Sequence, residues 1–321
     1  MYDYKYGTNR LAVTHQRCLS LNGFNVQELN HEGQAWRSWS LAQLEREYSP
    51  SSCVPSLSAL LAEYAVASRD AEQRLNCKKD LNWGEGADET LDFFPAASAA
   101  APLLVFFHGG YWQELSKKES LFAASDCVAN GIAYAAINYA LAPLTRVETI
   151  VDHCPRAIAW LLGHADALGF DPRRLFVAGS SAGAHLAAML LVSGWQLETG
   201  LSDRAISGAI LLSGIYDLEP LLPTYVNAPL RLSLADAEKL SPMALLPGLP
   251  KPTIVAWGEN ETGEFKRQSQ SYASRLRAAG FPVTTLEAVG RNHFDIVFDL
   301  VNPESALGRA TLALVDRAQS G

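Results

Sequence analysis

Short apolar segments alternate with amphipathic segments along most of the chain. The apolar segments are as short as buried strands, and the segments between them repeat their apolar positions at helical spacing. This alternation predicts an α/β fold, with a mostly parallel central sheet flanked by helices on both faces. We expect strands at 90–94, 103–107, 132–138, 175–178, 206–212, 253–257 and 283–288, and helices near 117–130, 147–168, 182–192 and 264–279.

The pattern predicts a single domain over residues 1–321, because no linker-like segment divides it. Two parts of the chain stand apart from the alternation. Residues 1–40 follow no clear pattern and indicate an N-terminal extension of unclear role. Residues 214–250 are rich in proline and leucine, and we expect them to form a small cap or lid inserted between two strands.

Composition and charge narrow the class of protein. Of the 321 residues 48% are hydrophobic and 19% are charged, as in an ordinary soluble domain. A net charge of −8 argues against nucleic acid or an anionic membrane as a partner. The polar start of the chain does not resemble a signal peptide, and the longest apolar stretch is too short to span a bilayer.

The cysteines indicate a reducing compartment. They are five in number, which is odd, and widely spread, so reduced thiols in the cytoplasm are expected rather than a disulfide framework. No zinc-type spacing of histidines and cysteines occurs, and we expect neither a metal nor a cofactor. The expected partner is a small-molecule acyl substrate. The oligomeric state stays open, and a homodimer is one of the alternatives.

The segment 179–183, with the sequence GSSAG, lies between a predicted strand and a predicted helix. Glycines two residues before and two residues after Ser181 remove the Cβ atoms that would collide in a sharp strand-to-helix turn. Such a turn presents its central side chain outward, which is typical of a nucleophilic serine. The alternative is a small residue that is merely tolerated in a crowded turn.

A second glycine pair follows the predicted strand 103–107. Gly109 or Gly110 could donate one backbone N–H to an oxyanion, and Ala182, directly after the serine, could donate another. The alternative is a tight turn whose glycines serve packing alone. Tyr111 and Trp112 could form the wall of an aryl pocket or belong to the core. We interpret His108, just before the glycines, as a structural residue.

Later strand ends supply candidates for a base and an acid. His293 lies on a loop after the last predicted strand, and Glu259 and Glu261 follow the strand 253–257. A carboxylate there would orient the imidazole and stabilise the imidazolium. The chain order serine, acid, histidine is that of α/β-hydrolases. We interpret His185, on the helix after the serine, as a packed histidine, since helical side chains project back along their own flank.

Six segments together resemble the arylformamidase, or kynurenine formamidase, family of α/β-hydrolases, near the hormone-sensitive-lipase-like esterases. The resemblance extends from about residue 43 to residue 300. The segments are QLEREYSPSS (43–52), HGGYWQ (108–113), SSAGAHLAAMLL (180–191), SGIYDLEPL (213–221), ETGEFKRQS (261–269) and NHFDIV (292–297).

The resemblance implies an α/β-hydrolase fold with a sheet of about eight strands and a small cap. It also implies Ser181 as the nucleophile and His293 as the base. The acid of the family lies four residues before the Phe of "EF", which is Glu261 here. Glu259 stays open as the alternative acid, because the loop carries a Glu and extra residues where the family more often has Asp in a shorter loop.

We therefore expect a serine hydrolase of the arylformamidase type, which cleaves N-formyl aryl amides or small acyl esters through an acyl-enzyme. One alternative is a general carboxylesterase acting on small acyl esters, since the same machinery hydrolyses both. The other is a catalytically silent member of the family that binds a small ligand in the same pocket.

Overall fold

Eight strands form one sheet through the middle of the molecule, in the order β1-β2-β4-β3-β5-β6-β7-β8. The strands β4, β3, β5, β6, β7 and β8 are parallel to one another. At one edge, β2 pairs antiparallel with β4, and β1 pairs antiparallel with β2. The strands are β1 (Lys78–Asn82), β2 (Thr90–Phe94), β3 (Ala101–Phe107), β4 (Ala133–Ile137), β5 (Phe170–Ser180), β6 (Gly208–Leu212), β7 (Thr253–Asn260) and β8 (Val283–Asn292).

The computed structural model describes residues 35–317, and within that range everything from Trp36 onward belongs to one compact unit. None of the helices in this described part is long and apolar enough to cross a membrane. The α-helices are α1 (Leu41–Glu47), α2 (Leu57–Arg74), α3 (Ala124–Ala129), α4 (Val147–Gly163), α5 (Ala165–Leu168), α6 (Ala182–Met189), α7 (Trp195–Thr199), α8 (Asn227–Leu230), α9 (Leu234–Leu240), α10 (Gly263–Ala278) and α11 (Ala306–Arg317).

Short 3-10 helices supplement these elements, and two of the predicted helices are not continuous. The helix expected near 117–130 is a 3-10 turn followed by α3, and the helix expected near 147–168 is divided into α4 and α5. In the first case Lys117 is buried and paired with Asp80 and Asp92, which ties the turn to β1 and β2. The 3-10 helices are Ala35–Ser38, Pro50–Cys53, Lys117–Glu119, Glu219–Leu221 and Asp295–Asp299.

The core fills both faces of the sheet, as the near-continuous apolar strands require. Alternate side chains of β3 separate to the two sides: Val105 and Phe107 belong to one buried cluster, and Leu104 and Phe106 to the other. All five positions of β2, β4 and β6 are buried. The fold is therefore the α/β fold that the pattern predicts, and its eight strands agree with the α/β-hydrolase fold that the family resemblance implies, with β1 as an edge strand.

The residues between β6 and β7 form three short helices, the 3-10 turn Glu219–Leu221, α8 and α9. They include the expected cap, residues 214–250, and two of its residues, Tyr225 and Val226, line the cavity described below. Most of the expected N-terminal extension, residues 1–34, lies outside the described residues.

Candidate active site

Ser181 lies on the sharp turn between β5 and α6, in a strained backbone conformation. Its φ of 56° and ψ of −118° are unusual for a residue with a side chain. The flanking glycines make the turn possible. A Cβ on Gly183 would overlap the carbonyl oxygen of Phe107, and one on Gly179 would overlap that of Gly183. Strain of this kind persists where the surrounding structure enforces it, which is typical of functional sites.

The glycine loop after β3 and the first residue of α6 lie next to the serine. A Cβ placed on Gly109 would lie only 3.4 Å from the Cβ of Ser181, so the glycine loop after β3 passes directly beside the serine. Gly110 has a φ of 94°, which favours glycine. Ala182 is the first residue of α6, so its N–H has no partner within the helix. Gly109 and Gly110 line the same cavity as Ser181, and Ala182 follows the serine in the chain.

His293 and Glu261 are joined by a hydrogen bond. The Nδ1 atom of His293 lies 3.0 Å from Oε2 of Glu261, and both side chains are almost completely buried. Because an ionised carboxylate only accepts hydrogen bonds, Nδ1 carries the proton and Nε2 is left as a hydrogen-bond acceptor. The imidazole is also held between two aromatic rings, with centroids 4.3 Å away for Phe265 and 5.2 Å for Phe294.

The second carboxylate oxygen of Glu261 has two donors of its own. The hydroxyl of Ser213 and the N–H of Gly258 each lie 2.5 Å from Oε1. Glu259 has a different environment: it is exposed, and its carboxylate accepts the N–H of Gly290. Of the two candidate acids, the structure brings only Glu261 to His293.

Ser181 and His293 line the same cavity, which has a volume of about 260 Å³. One part of its wall is aromatic. Tyr64, Phe106 and Phe122 line it, and the ring of Phe122 lies 5.3 Å from that of Tyr64 and 5.4 Å from that of Phe106. Polar residues also line the cavity, among them Ser51, Gln113, Glu114 and Tyr225.

The two predicted pocket aromatics have different positions. Tyr111 lines the cavity, and its hydroxyl donates a 2.6 Å hydrogen bond to the carbonyl of Tyr48. The structure corrects the prediction for Trp112. This side chain is fully buried, is not among the cavity-lining residues, and packs edge-on against His185 with centroids 4.9 Å apart. The left-handed backbone at both residues turns consecutive side chains in different directions.

Two other histidines near the site are structural, as the sequence indicated. Nδ1 of His108 donates to the carbonyl of Gly109, and the ring stacks on Tyr139 at 4.0 Å. Nε2 of His185 donates to the carbonyl of Leu240. Burial away from water lowers the pKa of each imidazole to about 4, so both are neutral at pH 7.

Comparison with known proteins decides the family. A family model described as the alpha/beta hydrolase fold matches residues 104–296. Kynurenine formamidase of Danio rerio is 34% identical over 296 residues, a match that covers 88% of this chain and 99% of that protein. The chain belongs to the kynurenine formamidase family of α/β-hydrolases.

More distant members of the fold include esterases. Esterase LipQ of Mycobacterium tuberculosis is 28% identical over 242 residues, covering 69% of this chain and 57% of that protein. A solved structure from Silicibacter sp. tm1040 superposes with a TM-score of 0.73 at 25% identity, covering 85% of this chain and 98% of the other. Family membership makes this chain a hydrolase of carboxylic amides or esters.

Several residues of the site were not predicted. They are Ser213, which contacts Glu261, Phe265, which contacts His293, and Tyr48, which contacts Tyr111. Each of the three belongs to a segment that carried the family resemblance. The segments had marked them as a group, but no residue pattern indicated which of their side chains reach the cavity or the carboxylate.

Proposed function

We propose that the protein is an arylformamidase, which hydrolyses an N-formyl aryl amide of the N-formylkynurenine type. The observation that carries the proposal is that Ser181 and His293 line one cavity together with aromatic side chains. Ser181 lies there in a strained, glycine-flanked turn, and His293 is hydrogen-bonded to the carboxylate of Glu261. Kinship with the kynurenine formamidases supports the choice of a formamide over other acyl groups.

In this proposal Ser181, His293 and Glu261 act as nucleophile, base and acid. Nε2 of His293 accepts the proton of the Ser181 hydroxyl as the oxygen attacks the formyl carbon. Glu261 accepts the Nδ1–H, fixes the tautomer and stabilises the imidazolium that forms. The N–H groups of Gly109, Gly110 and Ala182 stabilise the oxyanion, and losing one such donor costs about 2.7–4 kcal/mol of transition-state stabilisation.

Attack on the formyl carbon forms a tetrahedral intermediate, which then breaks down by cleavage of its C–N bond. The imidazolium gives its proton to the departing aryl amine, and the formyl group stays on Ser181 as an ester. Water then attacks this ester as His293 takes its proton, and His293 returns that proton to the Ser181 oxygen as the C–O bond breaks, which releases formic acid, present as formate at neutral pH, and restores the free serine. An aryl amine is a better leaving group than an alkyl amine, so this machinery suits an anilide.

The cavity fits such a substrate in size and lining. Its volume of about 260 Å³ lies below the range of roughly 300–1,000 Å³ typical of pockets for drug-sized ligands, so a small acyl substrate is favoured. An aryl group would pack against Phe122 and Tyr64, because aromatic rings pair favourably at centroid distances of about 4.5–7 Å. The small formyl group needs only the space beside Ser181.

A general carboxylesterase is the second candidate, favoured by the similarity to Esterase LipQ. The acyl-enzyme chemistry is the same for both, and the difference lies in the leaving group. A catalytically silent, ligand-binding protein is the third alternative, and retention of serine, histidine and carboxylate in one arrangement argues against it.

The experiment compares turnover of N-formylkynurenine and p-nitrophenyl acetate by the purified protein, with labelling by a fluorophosphonate. We expect turnover of the formamide and one labelled serine. Ser181→Ala should lose turnover and labelling, whereas Ser274→Ala, an exposed serine on α10, should retain both. Ester turnover without formamide turnover would favour the esterase, and labelling that persists in Ser181→Ala would contradict the assigned nucleophile.

A further inference from the structure

The carboxylate of Glu261 is held at three points within a fully enclosed site. Oε2 accepts the Nδ1–H of His293, and Oε1 accepts the hydroxyl of Ser213 and the N–H of Gly258. The side chain has no exposed surface. The two oxygens therefore have separate partners, and the donors on Oε1 determine which direction Oε2 faces.

Ser213 occupies an unusual position for a serine. It follows β6 directly, is fully buried, and has a φ of 48°, in the left-handed region that glycine adopts more readily than any residue with a side chain. Its N–H donates to the carbonyl of Ala256, which fixes this backbone against the neighbouring strand β7. A glycine here would avoid the strain, so the serine hydroxyl supplies something that glycine lacks.

The hydroxyl contacts one group of the site, the Oε1 atom of Glu261. A glutamate has one more rotatable bond than an aspartate, so more conformational freedom must be removed to hold its carboxylate in one orientation. The N–H of Gly258 comes from β7, only three residues before Glu261 in the chain. Ser213 directly follows the neighbouring strand β6, so its hydroxyl holds the carboxylate from a second strand of the sheet.

We propose that Ser213 is a positioning residue of the active site, whose hydroxyl holds Oε1 of Glu261 so that Oε2 faces the Nδ1–H of His293. This inference rests on the proposed function, since it concerns the orientation of the proposed acid and base. Ser213 does not touch the cavity that holds Ser181, and it acts only through the carboxylate and the imidazole.

The test removes the hydroxyl in two ways. Ser213→Ala removes it and keeps a Cβ in the strained backbone; Ser213→Gly removes it and relieves the strain. Ser241→Ala is the matched control, because Ser241 is also buried and its hydroxyl also has two hydrogen bonds, to Ala237 and Leu218, outside the site. Each variant is compared with the wild type by the rate of fluorophosphonate labelling, by kcat and KM, and by urea denaturation.

Hydrogen bonds to charged groups are among the stronger ones in proteins, so both Ser213 variants should be labelled about 10- to 100-fold more slowly and show a similar fall in kcat. KM should change little, because the hydroxyl does not contact the cavity. Ser213→Gly should resist urea at least as well as Ser213→Ala. Ser241→Ala should lose stability and keep its labelling rate.

The low-field proton NMR resonance of the His293 Nδ1–H provides a readout that does not depend on turnover. We expect it to shift or broaden in both Ser213 variants and to be unchanged in Ser241→Ala. The inference would be overturned if the fluorophosphonate labelled a folded Ser213→Ala or Ser213→Gly at the wild-type rate and the His293 resonance stayed unchanged.

Failure of the proposed function gives a different result. A wild type that is labelled but does not hydrolyse the formamide contradicts the arylformamidase, while the labelling rates and the resonance still test Ser213. A wild type that is never labelled contradicts the serine mechanism itself and removes the basis of the inference.

Discussion

Glu259 and Glu261 stand two residues apart, and their side chains lie in opposite environments. The pairing of β7 with β8 shifts register between Gly258 and Asn260, which leaves Glu259 and Asn260 exposed and turns Glu261 inward. Sequence spacing alone could not choose between the two glutamates, because that choice depends on an irregularity in strand pairing.

Replacing the two glutamates separately tests the choice. Glu261→Gln keeps the size of the side chain, but an amide no longer holds the imidazole in the required tautomer, so kcat/KM should fall by about 10⁴-fold, as it does when the orienting carboxylate of a serine protease is lost. Glu259→Gln, at the surface, should change the rate by no more than about twofold. Steady-state kinetics on any hydrolysed substrate provides the measurement, and a collapse of turnover in Glu259→Gln alone would reverse the assignment.

The glycines of the serine turn have no room for a side chain. A Cβ on Gly183 would overlap the backbone oxygens of Phe107 and His108, which cannot move without displacing β3. We therefore expect Gly183→Ala to lower the free energy of unfolding by more than about 3 kcal/mol, or to prevent folding. Gly163→Ala is the control: no atom lies within 4 Å of its Cβ, and stability should stay equal or rise by up to about 1 kcal/mol. Urea denaturation of both variants measures the difference; equal stabilities would contradict the steric argument.

At the scale of elements, two segments far apart in sequence pack together behind the site. Tyr48, at the end of α1, donates its hydroxyl to Glu264 and accepts from Gln268, both on α10. Gln268 in turn accepts the N–H groups of Tyr216 and Asp217 after β6. The same α10 places Phe265 against His293. The helix α1 and His293 are thus linked through α10.

Tyr48→Phe tests this link. It removes a fully buried hydroxyl from a carboxylate and an amide, so the free energy of unfolding should fall by about 1.5–3 kcal/mol. Tyr225→Phe is the control, since Tyr225 is half exposed and its hydroxyl meets only Ser49, and its stability should change by less than about 0.5 kcal/mol. Chemical denaturation compares the two. Equal losses would mean that the Tyr48 network contributes no more than a surface contact.

The elements themselves were predictable to the extent that their side chains carry a pattern. The apolar strands β3, β4, β6 and β7 were found within a few residues of their bounds, because a strand buried on both faces is apolar throughout. The edge strand β1, with the sequence KKDLN, was missed, because it is mostly polar and is specified by its pairing with β2. The contacts of Tyr48 were missed for a related reason: its partners lie more than 200 residues away and only the fold brings them together.

At the scale of the whole molecule, the parallel sheet explains why distant residues meet. Ser181 follows β5, Ser213 follows β6, Glu261 follows β7 and His293 follows β8, and these four strands are neighbours in this order. The carboxyl ends of parallel strands lie at one edge of the sheet, so residues after successive strands converge there. This is why the ends of successive strands indicated Ser181, His293 and the pair Glu259 and Glu261 in the sequence, while the choice between the glutamates and most of the cavity lining required the structure.

The molecule should also lose stability in mild acid through its buried histidines. Burial lowers the pKa of His108 and of His185 to about 4, against about 6.5 in an unfolded chain. Above pH 6.5 neither state binds these protons. Between pH 6.5 and pH 4 the unfolded state binds more of them, so stability falls as the pH falls, by about 1.4 kcal/mol per pH unit for each histidine.

Substitution of His185 isolates one of these contributions. His185→Gln removes the titrating group, so the free energy of unfolding of this variant should depend less steeply on pH between 6.5 and 4, whatever stability it loses at pH 7.5. Ser241→Ala serves as the control, since it loses a buried hydrogen bond without losing a titrating group and should keep the wild-type slope. Urea denaturation at half-unit pH intervals gives both slopes. Parallel curves for His185→Gln and the wild type would contradict the lowered pKa of His185 in the folded state, and the acid sensitivity would then have to come from His108 or from carboxylates.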